Sequence, residues 1–387
     1  MLLHLTLAML RSSASLAASG NLKHGLPNSN EVAASIAQAL AAGDAEAAFP
    51  AAVLAEALRQ DADLVSGIAA YRRHPYRREL VDPPPVWQEG GSRILDYGGT
   101  GSAVLIVPSL VNRAYVLDLA PGHSMLRWLA ERGVRPLLLD WGWPGDVERH
   151  FTTTDYVAGR LERAMTAACD LAGGPAVLAG YCMGGTLAVV AAVRRPDLVR
   201  ALALLATPWD FHAGNEARAM EAARCLPLLE PVLAFNDTLP VDALQMLFAL
   251  LDPWGVAEKY RAFARLDPDS ERARLFVALE DWLNDGVPLA APVARECLGR
   301  WYGENTPARG EWRIAGLPVD PRAIRVPTFV AAPGRDRIVP SEAALPLVGL
   351  IEGAVLHQPM AGHIGMVAGT TAERVLWRPL LAWLESV

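Results

Sequence analysis

The most chemically loaded feature of this chain is one cysteine in a glycine-rich turn. The stretch Pro175-Ala-Val-Leu-Ala-Gly-Tyr-Cys-Met-Gly-Gly-Thr186 runs from an apolar strand pattern into Gly180-x-Cys182-x-Gly184. A third glycine, Gly185, and an apolar helical pattern over 186–193 follow. A strand-turn-helix of this kind holds its central residue in a strained backbone at the tip of a sharp turn. Gly180, Gly184 and Gly185 remove side chains where strand and helix approach. The helix N-terminus that follows brings partial positive charge and free N–H groups to the sulfur, favouring a thiolate and the oxyanion that forms after attack. A cysteine is otherwise often a small buried hydrophobe, the reading given to Cys169, Cys225 and Cys297, which lack such a turn.

A cysteine nucleophile needs a base. In a fold with such an elbow the order is nucleophile, acid, histidine, the last two on loops after late strands. Thr328-Phe-Val-Ala-Ala-Pro-Gly-Arg-Asp336 reads as a strand leaving through a Pro-Gly turn, which places Asp336 at the carboxyl edge of the sheet. Val355 to Met360 is the next strand, and Gly362-His363 follows it. Of the eight histidines, only His363 has this context. Asp336 is expected to fix the imidazole tautomer and stabilise the imidazolium. The flanking Arg335 and Arg337 would favour its ionised form on close approach. The oxyanion hole is expected from the backbone N–H of Met183 and, on the loop Pro108-Ser-Leu-Val-Asn-Arg113, from that of Val111, with Asn112 orienting the loop.

The elements that must position these residues are legible in the hydrophobic pattern. From Ser92 onward short apolar runs alternate with helical periodicity, as in a mostly parallel sheet with helices on both faces. Strands are expected at 93–97, 103–108, 136–140, 176–179, 201–205, 328–332 and 355–358. The predicted class is α/β, an α/β-hydrolase fold with an inserted helical cap. Its parts are an N-terminal helical segment over 1–80, core segments over 81–208 and 323–387, and the cap over 209–322. The run Asp82-Pro83-Pro84-Pro85 cannot continue a helix and marks the first boundary. The cap carries Trp209, Trp254, Trp282, Trp301 and Trp312, read as filling a small core of its own.

Composition narrows the function. Apolar residues make up 52% and charged residues 20%, which excludes disorder. A net charge of −7 with no basic stripe argues against a nucleic-acid partner. The four cysteines show no C-x-x-C spacing, so neither a metal site nor a disulfide framework is expected, and a reducing cytoplasm fits. Met1 to Leu10 is apolar but lacks a basic leading segment and is too short to span a bilayer.

Several separated blocks resemble the polyhydroxyalkanoate synthases, which polymerise 3-hydroxyacyl groups from coenzyme A thioesters. They are Val107-Pro-Ser-Leu-Val-Asn-Arg-Ala-Tyr-Val-Leu-Asp-Leu119, Leu139-Asp-Trp-Gly142, Gly180-Tyr-Cys-Met-Gly-Gly-Thr186, and Glu280-Asp-Trp282 with Asp285 and Pro288. Asp336 with Ile338-Val339-Pro340, and Gly362-His363-Ile364, complete the set. The chain departs from the family pattern at Arg337 and Ser341. The resemblance implies an acyltransferase with 3-hydroxyacyl-coenzyme A as substrate and coenzyme A as product, with no separate cofactor. It also implies association with a helical partner subunit, self-association as a homodimer, and work in the cytoplasm at a polymer granule surface.

Cysteine suits such chemistry, because acyl transfer from a coenzyme A thioester to a thiol keeps the acyl group activated, whereas a serine ester would lower it. The same triad under a more open cap would serve a thioesterase or an intracellular polyester hydrolase. A noncatalytic coat protein of polymer granules is the alternative of another class.

Overall fold

The structure is a computed structural model and describes residues 45–251 and 255–387. The apolar start, the rest of residues 1–44 and Trp254 lie outside the described residues. Eight strands form one sheet: β1 (Pro85–Glu89), β2 (Ser92–Asp96), β3 (Ala103–Val107), β4 (Arg135–Asp140), β5 (Ala176–Tyr181), β6 (Val199–Leu205), β7 (Thr328–Ala331) and β8 (Val355–His357). The helices used below are α1 (Ala45–Arg73), α2 (Glu162–Ala172), α3 (Met183–Arg194), α4 (Gly255–Phe263) and α5 (Glu271–Asn284).

The strand order is β1-β2-β4-β3-β5-β6-β7-β8, with β1 and β2 antiparallel to their neighbours and the rest parallel. β3 and β5 are buried along their whole length. Two helix faces cover a parallel sheet, so its inner strands read as continuous apolar runs rather than alternating ones. Among the helices packed on it, α2 ends at Gly173, whose φ of 72° suits glycine. The register brings the active edge together. Val107 pairs with Gly180, Gly180 with Leu204, Leu205 with Ala331, and Ala331 with His357. The loops after β3, β5, β6, β7 and β8 therefore leave the sheet side by side.

The proline run at 82–85 does more than mark a linker. Pro85 opens β1, an edge strand that sequence analysis did not anticipate, and the register shifts between Pro85 and Trp87. Proline is tolerated there because an edge strand leaves one row of N–H groups outside the ladder.

Packing also divides the chain differently from the sequence boundaries. Among the described residues, 45–76 form one compact unit with 249–251 and 255–277, and Arg77–Phe248 with Ala278–Val387 form the other. In the first unit, Leu64 and Ile68 of α1 bury against Ala257 and Tyr260 of α4, and Phe263 stacks on Phe276 at 4.3 Å. In the second, Trp209, Trp301 and Trp312 are buried with their rings 5.1–6.1 Å apart. They belong to the same apolar core as the central strands, not to a separate core of the cap. Among the described residues, no helix is long and apolar enough to cross a membrane.

Candidate active site

β5 runs into α3 through Cys182, whose backbone sits at φ 56° and ψ −128°. Side chains rarely adopt this region, which costs on the order of 1–3 kcal/mol unless the surroundings impose it. Here they do. The Cys182 N–H donates to the Leu205 carbonyl at 2.8 Å, and the Cys182 carbonyl accepts from the Gly185 N–H at 2.9 Å. A Cβ at Gly184 would lie 2.1 Å from the Val107 carbonyl oxygen and 2.4 Å from that of Pro108. One at Gly185 would lie 1.8 Å from Thr207 Oγ1, and Gly180 abuts Gly185 itself. The glycines let the helix press directly onto the ends of β3 and β6.

Asp336 and His363 are brought together by backbone pairing of their two loops. Gly334 N–H donates to Pro359 O at 2.9 Å and Arg335 N–H to Ala361 O at 3.1 Å. His363 Nδ1–H then donates to Asp336 Oδ2 at 2.6 Å. The other carboxylate oxygen accepts the N–H groups of Ile338 and Val339, both at 2.8 Å. The Asp336 side chain has no solvent exposure and that of His363 has 7%. Both flanking arginines, Arg335 and Arg337, are exposed at the surface.

With Nδ1 committed to the acid, Nε2 is left for Cys182, which acts electrostatically on the ring. Burial works against an imidazolium here. The charge that Cys182 carries once it has given up its proton and the bond to Asp336 outweigh it and raise the His363 pKa to about 10. Of the three residues named from the sequence, Asp336 and His363 are thus hydrogen-bonded and closed to solvent, and the half-buried Cys182 is near enough to act on the ring.

Two tyrosines beside these residues went unmarked in the sequence. Tyr181 packs its ring 5.1 Å from that of His363 and donates its hydroxyl to the His363 carbonyl at 3.3 Å. Burial pushes its phenol well above the ordinary range. Its position directly before the nucleophile was the available signal. Tyr302 comes from the wide helical turn Glu296–Gly303, and burial followed by the charge of Cys182 raises its phenol too.

The oxyanion hole differs from expectation in one donor. Met183 is the first residue of α3, where backbone N–H groups have no partner within the helix. The Val111 N–H, by contrast, donates to Ser109 Oγ at 3.0 Å, so it is engaged inside its own loop. The hydroxyl two residues upstream closes a local turn that the strand pattern did not reveal. Asn112 adopts φ 67°, and its side-chain oxygen lies 3.6 Å from where a Gly286 Cβ would stand. His123, His212 and His357 each have a ring nitrogen against a backbone carbonyl.

The sequence profile of the alpha/beta hydrolase fold family matches residues 102–224. Curated relatives extend the likeness. The poly(3-hydroxyalkanoate) polymerase subunit PhaC of Haloferax mediterranei is 30% identical over 310 residues, 77% of this chain and 62% of its own length. That of Haloarcula marismortui is 30% identical over 285 residues, 72% of this chain and 60% of its own length. That of Allochromatium vinosum is 28% identical over 287 residues, 73% of this chain and 80% of its own length. The chain therefore spans about three fifths of the first two relatives. Its sheet, elbow and profile match define an α/β-hydrolase-fold protein. Within that class, the chain is similar over about three quarters of its length to the poly(3-hydroxyalkanoate) polymerase subunits PhaC.

Proposed function

We propose that this chain is an acyltransferase that polymerises 3-hydroxyacyl-coenzyme A into polyester through a thioester on Cys182. The observation that carries the reading is the line from Cys182 through His363 to Asp336, in a chain related to named polymerases. His363 Nε2 takes the Cys182 proton as the sulfur attacks the thioester carbonyl. The carbon–sulfur bond to coenzyme A then breaks, and the leaving thiolate takes the proton from the imidazolium. In the second half, His363 removes the proton of a 3-hydroxyl group as its oxygen attacks the Cys182 thioester. An ester bond forms, and the Cys182 sulfur leaves and is reprotonated. Asp336 holds the ring and balances its charge without taking a proton. No cofactor enters this scheme. A helical partner subunit, a homodimer and a granule surface are part of the proposal, as the settings in which the chain works.

The test incubates the purified chain with 3-hydroxybutyryl-coenzyme A, with and without a candidate helical partner subunit, and follows thiol release and polymer mass together. Thiol release with polymer is expected. Stoichiometric free 3-hydroxy acid without polymer would make the protein a thioesterase, and absence of both products would favour a noncatalytic granule protein.

A further inference from the structure

Resting on the acyltransferase reading, we infer that Trp282 is a positioning residue for the oxyanion loop, acting through its indole N–H on the carbonyl of Arg113. The loop after β3 must place a second donor opposite the Met183 N–H. Its near end is held by the elbow, since Gly184 packs against the Val107 and Pro108 carbonyls. Trp141 Nε1–H also donates to the Pro108 carbonyl at 3.0 Å.

Its far end has an anchor distant in sequence. Trp282 Nε1–H donates to the Arg113 carbonyl at 2.7 Å across 169 residues, and Trp282 is 4% exposed. Water cannot readily replace that bond, so removing the donor strands a carbonyl. The same segment grips the Arg113 side chain. Asp285 Oδ1 lies 3.5 Å from Arg113 Nε. Arg113 also stacks over Trp143 at 5.5 Å. Between the two ends, Asn112 turns the chain at φ 67°. The loop is thus slung between two tryptophan N–H donors, Trp141 and Trp282, and the amides of residues 109–112 are placed by both.

An oxyanion donor acts only if it meets the developing charge at hydrogen-bond distance. Displacing the loop therefore slows steps that pass through a tetrahedral oxyanion and spares those that do not. Trp282→Phe keeps the ring and deletes the donor. The full chain is acylated with 3-hydroxybutyryl-coenzyme A and, separately, with p-nitrophenyl butyrate, and Cys182 is alkylated with iodoacetamide, which forms no oxyanion. Acylation is expected to fall about tenfold or more with KM little changed, less than the ~10²–10³ of deleting a donor outright. Alkylation should stay within about twofold, because it reports only the sulfur and its base.

Unchanged acylation overturns the inference. So does a parallel loss of acylation and alkylation, the mark of a general structural role. Should Trp282→Phe not fold, Asp285→Ala, at a half-exposed site, is expected to give a smaller loss with the same split; no split in that variant overturns the inference. A wild-type chain that ignores the thioester but accepts the ester sinks the proposed function and leaves the inference to be judged on the ester. One that accepts neither overturns both.

Discussion

Cys182 and His363 belong to one site but are held by different physics. The cysteine is fixed by excluded space: its backbone is bonded to Leu205 and Gly185, and the neighbouring glycines touch the carbonyls of β3 and the Thr207 side chain. The histidine is fixed by charge and hydrogen bonds to Asp336, 27 residues away, in a pocket closed to solvent. The elbow should therefore fail by shape, whatever the solution conditions, and the acid–base pair by loss of charge.

The largest effect expected is on the chemistry that joins the two regions. Cys182→Ala and His363→Gln should lose acylation by about 10⁴-fold or more while melting as folded proteins. Asp336→Asn should still acylate but elongate slowly, if the acid matters most when histidine activates the hydroxyl. Trapping with radiolabelled acyl-coenzyme A and comparing burst with steady state separates these phases. Equal loss in both would contradict the division of labour.

Next in size is the shape of the elbow. Gly184→Ala drives a methyl group into two backbone carbonyls that cannot swing aside. Overpacking usually costs about 1–3 kcal/mol, and here about 3 or more is expected, read as a lowered denaturant midpoint at any pH. A midpoint close to wild type would show that α3 can move off β3, and the contrast between the regions would lose its first half.

The smallest effect is the pH response of the histidine. Its folded pKa is raised from 6.5 to about 10, so the charged ring contributes stability that is fully present below its unfolded value and is lost as pH rises through about 10. Cys182→Ala removes the largest favourable influence on that charge and should lower the titration midpoint followed by the imidazole C–H resonances. A midpoint that stays put would mean that Asp336 alone holds the proton.

Local pattern determined much of this protein before any packing was known. The apolar runs marked the central strands, and the glycine spacing marked the elbow, because steric rules at a strand-helix turn act over a few residues. The order of cysteine, acid and histidine named the acid and the histidine that the structure joins by a hydrogen bond. What the sequence left open depends on contacts between distant segments or on turn chemistry hidden within an apolar pattern. β1 was masked by the prolines that open it, and a tolerated edge proline looks like a linker until the neighbouring strand is in place. The Val111 amide was taken by Ser109, a choice made by the folded turn. Trp209, Trp301 and Trp312 of the insert joined the main core, and Trp282 gave its N–H to a carbonyl 169 residues away. A buried polar group must find a partner, but only the tertiary fold decides which one it meets.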